Sequence, residues 1–348
     1  MLQNYLKHIR KFATNNRLFQ LKYGLNAENK EAGYFFKGDK KFDVINGNLS
    51  FINVLDAMLG WNLVNEASHT LGTTVCASYK HNAPAGVSCL GRNTHNIVKS
   101  ARECDPLSSF GDFISVNTLV DKKTAMYLRT QVSDGIIAED YTDEAYDILK
   151  KKKKGQYIIL KGYNTEFSKN KRNTPNVYMN MMDDKFEYRD HFGVTLYQSK
   201  DTSSNSSLLP NVSSFSTEKQ LDALLGWITL KYTPSNSVNF IFNKQVIGIG
   251  AGQQNRVACI RIAGEKCNTW EEANENVNKK LSGELIERSY TMCSDGFLPF
   301  KDNIDVAKEY NVDLILQPGG SINDALIKRE SMKNGISMVY TNKRQFYH

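Results

Sequence analysis

Apolar and polar positions follow two different periods along this chain, and the changes of period mark its elements. From Ile45 to Glu66 the apolar residues Ile52, Leu55, Met58, Leu59 and Leu63 recur near every 3.6 positions, which predicts an amphipathic helix. The short β-branched run Thr73 to Tyr79 predicts a strand. The segment after it, Lys80-His81-Asn82-Ala83-Pro84-Ala85-Gly86, holds Pro and Gly and is expected to end regular structure. A polar cluster then sits just beyond a strand's C-terminal end, the edge at which open α/β sheets bind ligands. The alternation continues with strands expected at Asp112 to Val116, Gly135 to Ile137 and Tyr157 to Leu160, and a helix at Asp143 to Lys151.

The Ser-rich stretch Asp201 to Ser216 reads as a linker or mobile loop and sets the expected boundary between a first part, 1–200, and a second, 201–348. A second amphipathic helix is expected over Thr217 to Lys231. The polar run Tyr232-Thr233-Pro234-Ser235-Asn236-Ser237 stops it before a strand at Val238 to Phe242, so both parts share a plan of helix, polar loop and strand. Gln245 to Gly252 (QVIGIGAG) resembles a dinucleotide fingerprint only superficially, because Gly248, Gly250 and Gly252 alternate by two where G-x-G-x-x-G is needed. A strand or tight turn with close backbone approach is the better reading. No P-loop, H-E-x-x-H or G-x-S-x-G is present.

Composition narrows the class. A chain of 348 residues with 41% hydrophobic and 11% aromatic content is too long for a disulfide miniprotein and too apolar to be mainly disordered. No apolar stretch approaches the roughly 18 to 20 residues of a membrane span, and the N-terminus mixes Lys7, Arg10 and Lys11 with polar residues, so neither export nor a membrane partner is expected. Cys76, Cys89, Cys104, Cys259, Cys267 and Cys293 form no C-x-x-C pair and read as reduced thiols of a cytoplasmic protein. The net charge of +7 suits anionic small molecules as readily as nucleic acid. Lys150 to Lys154 reads as a solvated helix terminus, with a nucleic-acid patch as the alternative.

The polar clusters carry the candidate chemistry. Four stand out: Lys80-His81-Asn82-x-Pro84-x-Gly86, Ser133-Asp134-Gly135-Ile136-Ile137-Ala138, Gly248-x-Gly250-x-Gly252-Gln253-Gln254-x-Arg256, and Ser294-Asp295-x-Phe297-x-Pro299-Phe300-x-Asp302-Asn303. Leu21-Lys22-Tyr23-Gly24, Tyr232-Thr233-x-Ser235-Asn236-Ser237-Val238 and Thr341-Asn342-x-Arg344-x-Phe346-x-His348 extend the set over nearly the whole chain, in one order. Each motif alone is weak, and the ordered set is specific. With it the chain resembles AICAR transformylase, the transformylase half of bifunctional purine-biosynthesis enzymes. That family formylates aminoimidazole carboxamide ribonucleotide (AICAR) using 10-formyltetrahydrofolate.

The resemblance implies an α/β fold of two cytidine-deaminase-like subdomains with mixed sheets flanked by helices, paired into a homodimer with sites near the interface. Zinc deaminases hold their metal with H-x-E and P-C-x-x-C, neither of which occurs here, so no zinc site is expected. Formyl transfer to a weakly nucleophilic amine needs a proton acceptor, a donor facing the developing oxyanion, and exclusion of water. His81 is the expected proton acceptor, Lys80 the donor to the formyl oxygen or the leaving folate, and Asn236, by resemblance, orients the site from the second part. Arg344 and Lys22 are the phosphate candidates. Tyr23, Gly111, Asp134, Arg256, Phe297 and His348 match the family's nucleotide side, and Phe110, Val257, Pro299, Phe300, Asp302 and Asn303 its folate side. Phe297 also matches part of the folate surface. Relatives hold potassium near segments matching Thr233, Ser235, Ser237 and Asp295, with Phe346 to His348 on a C-terminal strand.

Four departures accompany the resemblance. Lys22 stands where most relatives carry Arg, which replaces a bidentate fork with a point charge. Asn26-Ala27-Glu28-Asn29 replaces N-P-H-Q, and the stretch from Cys267 to Ser289 is shorter than the corresponding helical segment. Bifunctional members begin with a cyclohydrolase domain, whereas this chain starts at the transformylase, so ring closure is expected from a separate IMP cyclohydrolase. The alternatives to a transformylase are a non-catalytic nucleotide- or folate-binding relative, and a basic nucleic-acid-binding module resting only on charge.

Overall fold

The computed structural model describes residues 18–26, 28–36, 39–163, 186–191, 194–199, 208–282 and 288–348. The first part contains β1 (Phe19–Gln20), β2 (Gly33–Tyr34), β3 (Phe42–Asn46), α1 (Phe51–Leu71), β4 (Cys76–Lys80), β5 (Ala83–Ser88), α2 (Thr94–Glu103), β6 (Asp112–Val120), α3 (Lys122–Thr130), β7 (Ser133–Tyr141), α4 (Asp143–Leu149) and β8 (Ile158–Gly162). A hairpin follows, β9 (Phe186–His191) and β10 (Val194–Ser199), and then the short α5 (Leu209–Val212). The second part contains α6 (Thr217–Leu230), β11 (Val238–Phe242), β12 (Gln245–Gly250), α7 (Arg256–Ser282), β13 (Tyr290–Ser294), α8 (Lys301–Glu309), β14 (Val312–Gln317), α9 (Asp324–Lys333) and β15 (Ser337–Tyr340). The boundary expected at residues 200 and 201 lies outside the described residues.

One mixed sheet of 11 strands runs through both parts, in the order β15-β14-β13-β11-β12-β5-β4-β6-β7-β8-β3. Read outward from its centre, the first five strands follow the same order on each side: a hairpin (β5-β4 or β12-β11), then three mutually parallel strands (β6-β7-β8 or β13-β14-β15) whose first member runs antiparallel to the adjoining hairpin strand; β3 adds an antiparallel edge strand beyond β8. The central joint is the antiparallel pairing of Gln245 with Ser88 and Val246 with Val87. The fold is therefore an internal repeat, and α1 and α6 precede corresponding hairpins. Their sequences carry the same mark, Leu55-Asp56-Ala57-Met58-Leu59-Gly60-Trp61 and Leu221-Asp222-Ala223-Leu224-Leu225-Gly226-Trp227.

Helices cover both faces. Trp61 and Val64 of α1 share a core with Trp227 and Ile228 of α6 on one face, against Tyr79, Ile137, Ile241 and Leu316 of the sheet. On the other face α2, α3 and α4 pack over Ile114, Ile136 and Ile159, while α7, α8 and α9 pack over Phe240, Ile247 and Ile315. Adjacent strand residues such as Ile136 and Ile137 thus enter opposite cores, and each fully buried side chain of this size contributes about 1.5 to 3 kcal/mol.

Several expectations change. The first helix begins at Phe51, because Ser50 and Asn53 bond reciprocally as a capping box and Ile45 belongs to β3. Its surface is not a simple amphipathic stripe: Asp56, Asn65 and Glu66 are buried with the apolar residues, and Lys231 and Tyr232 bind the Glu66 carboxylate. Pro84 and Gly86 do not end regular structure but lie in β5. The tolerance has two causes. β12 pairs with β5 only at its far end, so Pro84 faces no ladder partner on that side, and Gly86 abuts the backbone of α2 at Ala101, where a Cβ would not fit. Gly248 and Gly250 make the corresponding approach to Ala263 and Cys259 of α7, which bears out the strand reading of QVIGIGAG.

Candidate functional site

The hairpin turn between β4 and β5 consists of His81 and Asn82 alone, with Lys80 pairing Ala83 across it. Both turn residues have left-handed backbone, φ 56° and 62°, as a two-residue hairpin turn requires. For a histidine this conformation costs about 1 kcal/mol or more, so something must hold it. The holder is Asp56 on α1, 6% exposed, whose Oδ1 accepts the Asn82 backbone N–H at 2.7 Å, and whose carboxylate also takes the His81 N–H. Burial pushes Asp56 up to about 6 against these two hydrogen bonds, with Asp134 raising it further. Asn82 Oδ1 is buried with no partner among the described residues.

His81 is exposed on this turn. The Lys80 ammonium reaches across to donate to the Phe110 carbonyl at 2.6 Å and lies beside Gly111, whose φ is 82°. Lys80, Phe110 and Gly111 therefore form one group, with His81 next to Lys80 in the chain. The Lys22-Tyr23-Gly24 segment is tied to the start of α1, with Lys22 N–H on Leu49 O and Phe51 N–H on Tyr23 O, and the Lys22 side chain is exposed.

Asp134, at the start of β7, is paired with Lys153, whose ammonium donates to Oδ1 at 2.6 Å. Lys152 donates to Ser133 Oγ at 2.6 Å and lies 4.1 Å from the Tyr157 ring centre. Burial, with Arg102 and Lys153 nearby, lowers Lys152 to about 8. These two members of the five-lysine run fold back onto the Ser133-Asp134 motif rather than standing wholly in solvent.

A second group forms around the fully buried Asp295. Its Oδ1 accepts from Arg256 at 3.0 and 3.2 Å, and its Oδ2 accepts the Ser235 hydroxyl at 2.5 Å and the Ser237 N–H at 2.9 Å. The C-terminal residues close on the same group: Gln345 N–H donates to Asp295 O, and Ser235 N–H to Tyr347 O. Residues 341–348 are not a strand, yet they alternate as one, with Gln345 buried and Arg344, Phe346 and His348 exposed. The Arg256 and Arg344 guanidiniums lie 5.7 and 5.5 Å from the Phe346 ring centre, and the His348 ring is edge-on to it at 6.2 Å. Asn236 donates through Nδ2 to Gln253 O at 2.8 Å. A Cβ at Gly296 would collide with Arg256, which explains the glycine of Ser294-Asp295-Gly296.

The folate-side candidates separate. Phe110, Phe297, Phe300 and Asp302 are exposed and Pro299 is partly so. Asn303 is 2% exposed and donates to Phe300 O and Asp302 Oδ1 under the first turn of α8. Val257 packs against the α7 core. Asn303 thus supports the backbone that carries the exposed Phe300 ring, while Val257 belongs to the core. One bond links the chain segments that lead into the two groups: Tyr79, one residue before Lys80, donates its hydroxyl to the carbonyl of Tyr232, three residues before Ser235, at 2.8 Å. Burial, with Tyr347 and Asp56 close by, holds that hydroxyl well above its ordinary pKa. The sequence reading missed Asp56; the signal was the repeated Leu-Asp-Ala-x-Leu-Gly-Trp, which places an acid at the same point of two apolar helices.

Among the described residues no group of His, Cys, Asp and Glu is placed to hold a metal ion, and no helix is long and apolar enough to cross a membrane. All six cysteines are buried and none is in a disulfide.

A family model described as the AICARFT/IMPCHase bienzyme matches residues 1–266. The chain is 31% identical over 338 residues to the bifunctional purine biosynthesis protein PurH of Petrotoga mobilis, covering 95% of this chain and 58% of that protein. It is 32% identical to PurH of Persephonella marina over 340 residues, and 31% identical to PurH of Aquifex aeolicus, covering 59% and 60% of those proteins. The chain thus spans under two thirds of the length of these relatives.

Proposed function

The chain belongs to the AICARFT/IMPCHase bienzyme family, and from that premise we propose that it transfers a formyl group from 10-formyltetrahydrofolate to the 5-amino group of AICAR, giving FAICAR and tetrahydrofolate in purine biosynthesis. The observation that carries this reading is the anchored turn at the tip of the β4–β5 hairpin, which carries His81 next to Lys80.

In the reaction the amine nitrogen attacks the formyl carbon, the C–N bond to the folate breaks, and the amine gives up a proton. His81, exposed and fixed at its backbone, is the group to accept that proton. An ammonium has three donors, so Lys80 can keep the Phe110 carbonyl and still offer a hydrogen to the developing formyl oxyanion or to the departing folate nitrogen. Asn236 contributes its remaining amide oxygen from the second part. Lys22 and Arg344, both exposed cations, suit the phosphate, with Tyr23, Gly111, Asp134, Arg256, Phe297 and His348 toward base and ribose. Asp134 must release Lys153 or bind through its second oxygen. Phe110, Phe297 and Phe300 offer exposed rings for a flat pterin, and Pro299, Asp302, Asn303 and Val257 complete or support that side.

The oxygens proposed for potassium fit in part. Both oxygens of Asp295 are engaged, and Thr233 Oγ1 bonds Thr229 O, while Ser237 Oγ is buried with no partner among the described residues and is open to a cation. A homodimer and a cytoplasmic location belong to the same proposal; the exposed Leu196 and Tyr197 on β10 supply apolar surface for pairing.

Purified protein given AICAR and 10-formyltetrahydrofolate is expected to release tetrahydrofolate, followed by absorbance. Absence of release with AICAR still bound would make the chain a non-catalytic relative, and absence of both would overturn the reading.

A further inference from the structure

Two buried carboxylates on corresponding helices do the same thing to two corresponding turns. Asp222 on α6 is 4% exposed, and its Oδ1 accepts the Lys244 N–H at 2.6 Å, just as Asp56 accepts that of Asn82. The Asp222 carboxylate also takes the Asn243 N–H, as Asp56 takes that of His81. The second turn is again two residues long, between Phe242 and Gln245, with φ 46° at Asn243 and 64° at Lys244. Even the glycines that follow the acids correspond: a Cβ on Gly60 would overlap Ser115 and Tyr79, and one on Gly226 would overlap Cys293 and Ile241.

The side chains on the two turns differ. Phe242, Asn243 and Lys244 stand where Lys80, His81 and Asn82 stand, and the second turn is docked in the central joint, with the Cys89 N–H donating to Lys244 O at 3.1 Å. We infer that Asp56 is a positioning residue for the formyl transfer, holding the Lys80–His81 turn in its working geometry through the turn's backbone N–H groups, whereas Asp222 performs the same fastening for structure alone. The inference rests on the proposed transformylase reading and adds to it a residue that touches neither substrate.

A buried acid that fastens a turn stabilises the fold whichever turn it fastens, so stability cannot separate the two roles. Activity can, because the reacting groups need placement to within about 1 Å. Asp56→Ala and Asp222→Ala are compared for melting temperature, kcat and KM for AICAR, alongside Asp56→Asn, which keeps an oxygen acceptor. Both alanine variants are expected to lose similar stability. Only Asp56→Ala is expected to lose kcat, by about tenfold or more with KM within about twofold, and Asp56→Asn is expected to recover most of it. Equal kcat in Asp56→Ala and Asp222→Ala would overturn the inference and leave the transformylase reading standing. Should Asp56→Ala not fold, Asp56→Asn with unrecovered kcat despite an intact acceptor would overturn it. A wild-type protein without formyl transfer would overturn the reading itself, and the inference with it.

Discussion

The turn after β4 and the turn after β11 share length, left-handed backbone, a buried aspartate beneath and a close-packed glycine one helical turn further on. The first turn carries His81, exposed, and Asn82, with Lys80 at its entry; the second carries Asn243 and Lys244, with Phe242 at its entry and the Lys244 carbonyl tied into the sheet joint. The fastening is therefore a property of the repeat, and the chemistry a property of what the repeat carries. A scaffold that fixes a strained turn for structural reasons supplies pre-organisation for catalysis at no further conformational cost.

The comparison is broken most sharply by exchanging chemistry between the turns. His81→Ala is expected to lower kcat by about 10²-fold or more with folding intact, while Asn243→Ala leaves kcat within about twofold; steady-state assays and thermal melts check both. Equal losses would remove His81 from the mechanism. Next in size are the glycines. Gly60→Ala and Gly226→Ala are each expected to cost about 1 to 3 kcal/mol in denaturant unfolding, because the added methyl overlaps β4 and β6 in one case and β11 and β13 in the other. Only Gly60→Ala should also lower kcat, since it lifts Asp56 from its turn.

The acids give a pH signature of known sign. Burial raises both Asp56 and Asp222 to about 6, with Asp134 and His81 acting on the first and Lys219 and Glu218 on the second. Between about pH 4 and 6 the folded state binds protons that the unfolded chain has released, so each contribution is present in full below about 4 and lost as the pH rises through 6. The stability of wild type relative to Asp56→Asn, and separately to Asp222→Asn, should fall over that window by roughly 3 kcal/mol each. A flat difference would show that the carboxylates are not held as described. The smallest effect expected is at Lys22: Lys22→Ala should raise KM for AICAR a few-fold with folate KM unchanged, and Lys22→Arg should hold or lower it.

Much of this was legible in the sequence. The pattern of apolar and polar positions located α6 and β11 almost to the residue, because the polar loop between them separates the two segments cleanly. The alternate glycines of Gln245 to Gly252 left a strand or a tight turn, of which the strand is found. Pro84 misled, since its position reads as a break until the unpaired stretch of β5 beside it is known. Lys152 and Lys153 read as solvated because sequence shows charge but not the Ser133-Asp134 motif that they fold onto. Asp56 was invisible as an isolated acid in an apolar helix and becomes legible only when Leu55 to Trp61 is laid over Leu221 to Trp227.

The joint at the sheet's centre bears on how the chain can be cut. Only two residue pairs link β5 to β12, whereas the core beneath them draws side chains from α1 and α6 together. Severing the polypeptide in the Ser-rich stretch would leave each fragment with half of that shared core bare to water. The fragments are therefore expected to behave as complementing halves, insoluble or loosely folded alone and recovering a native melt when coexpressed, rather than as two domains joined by a tether.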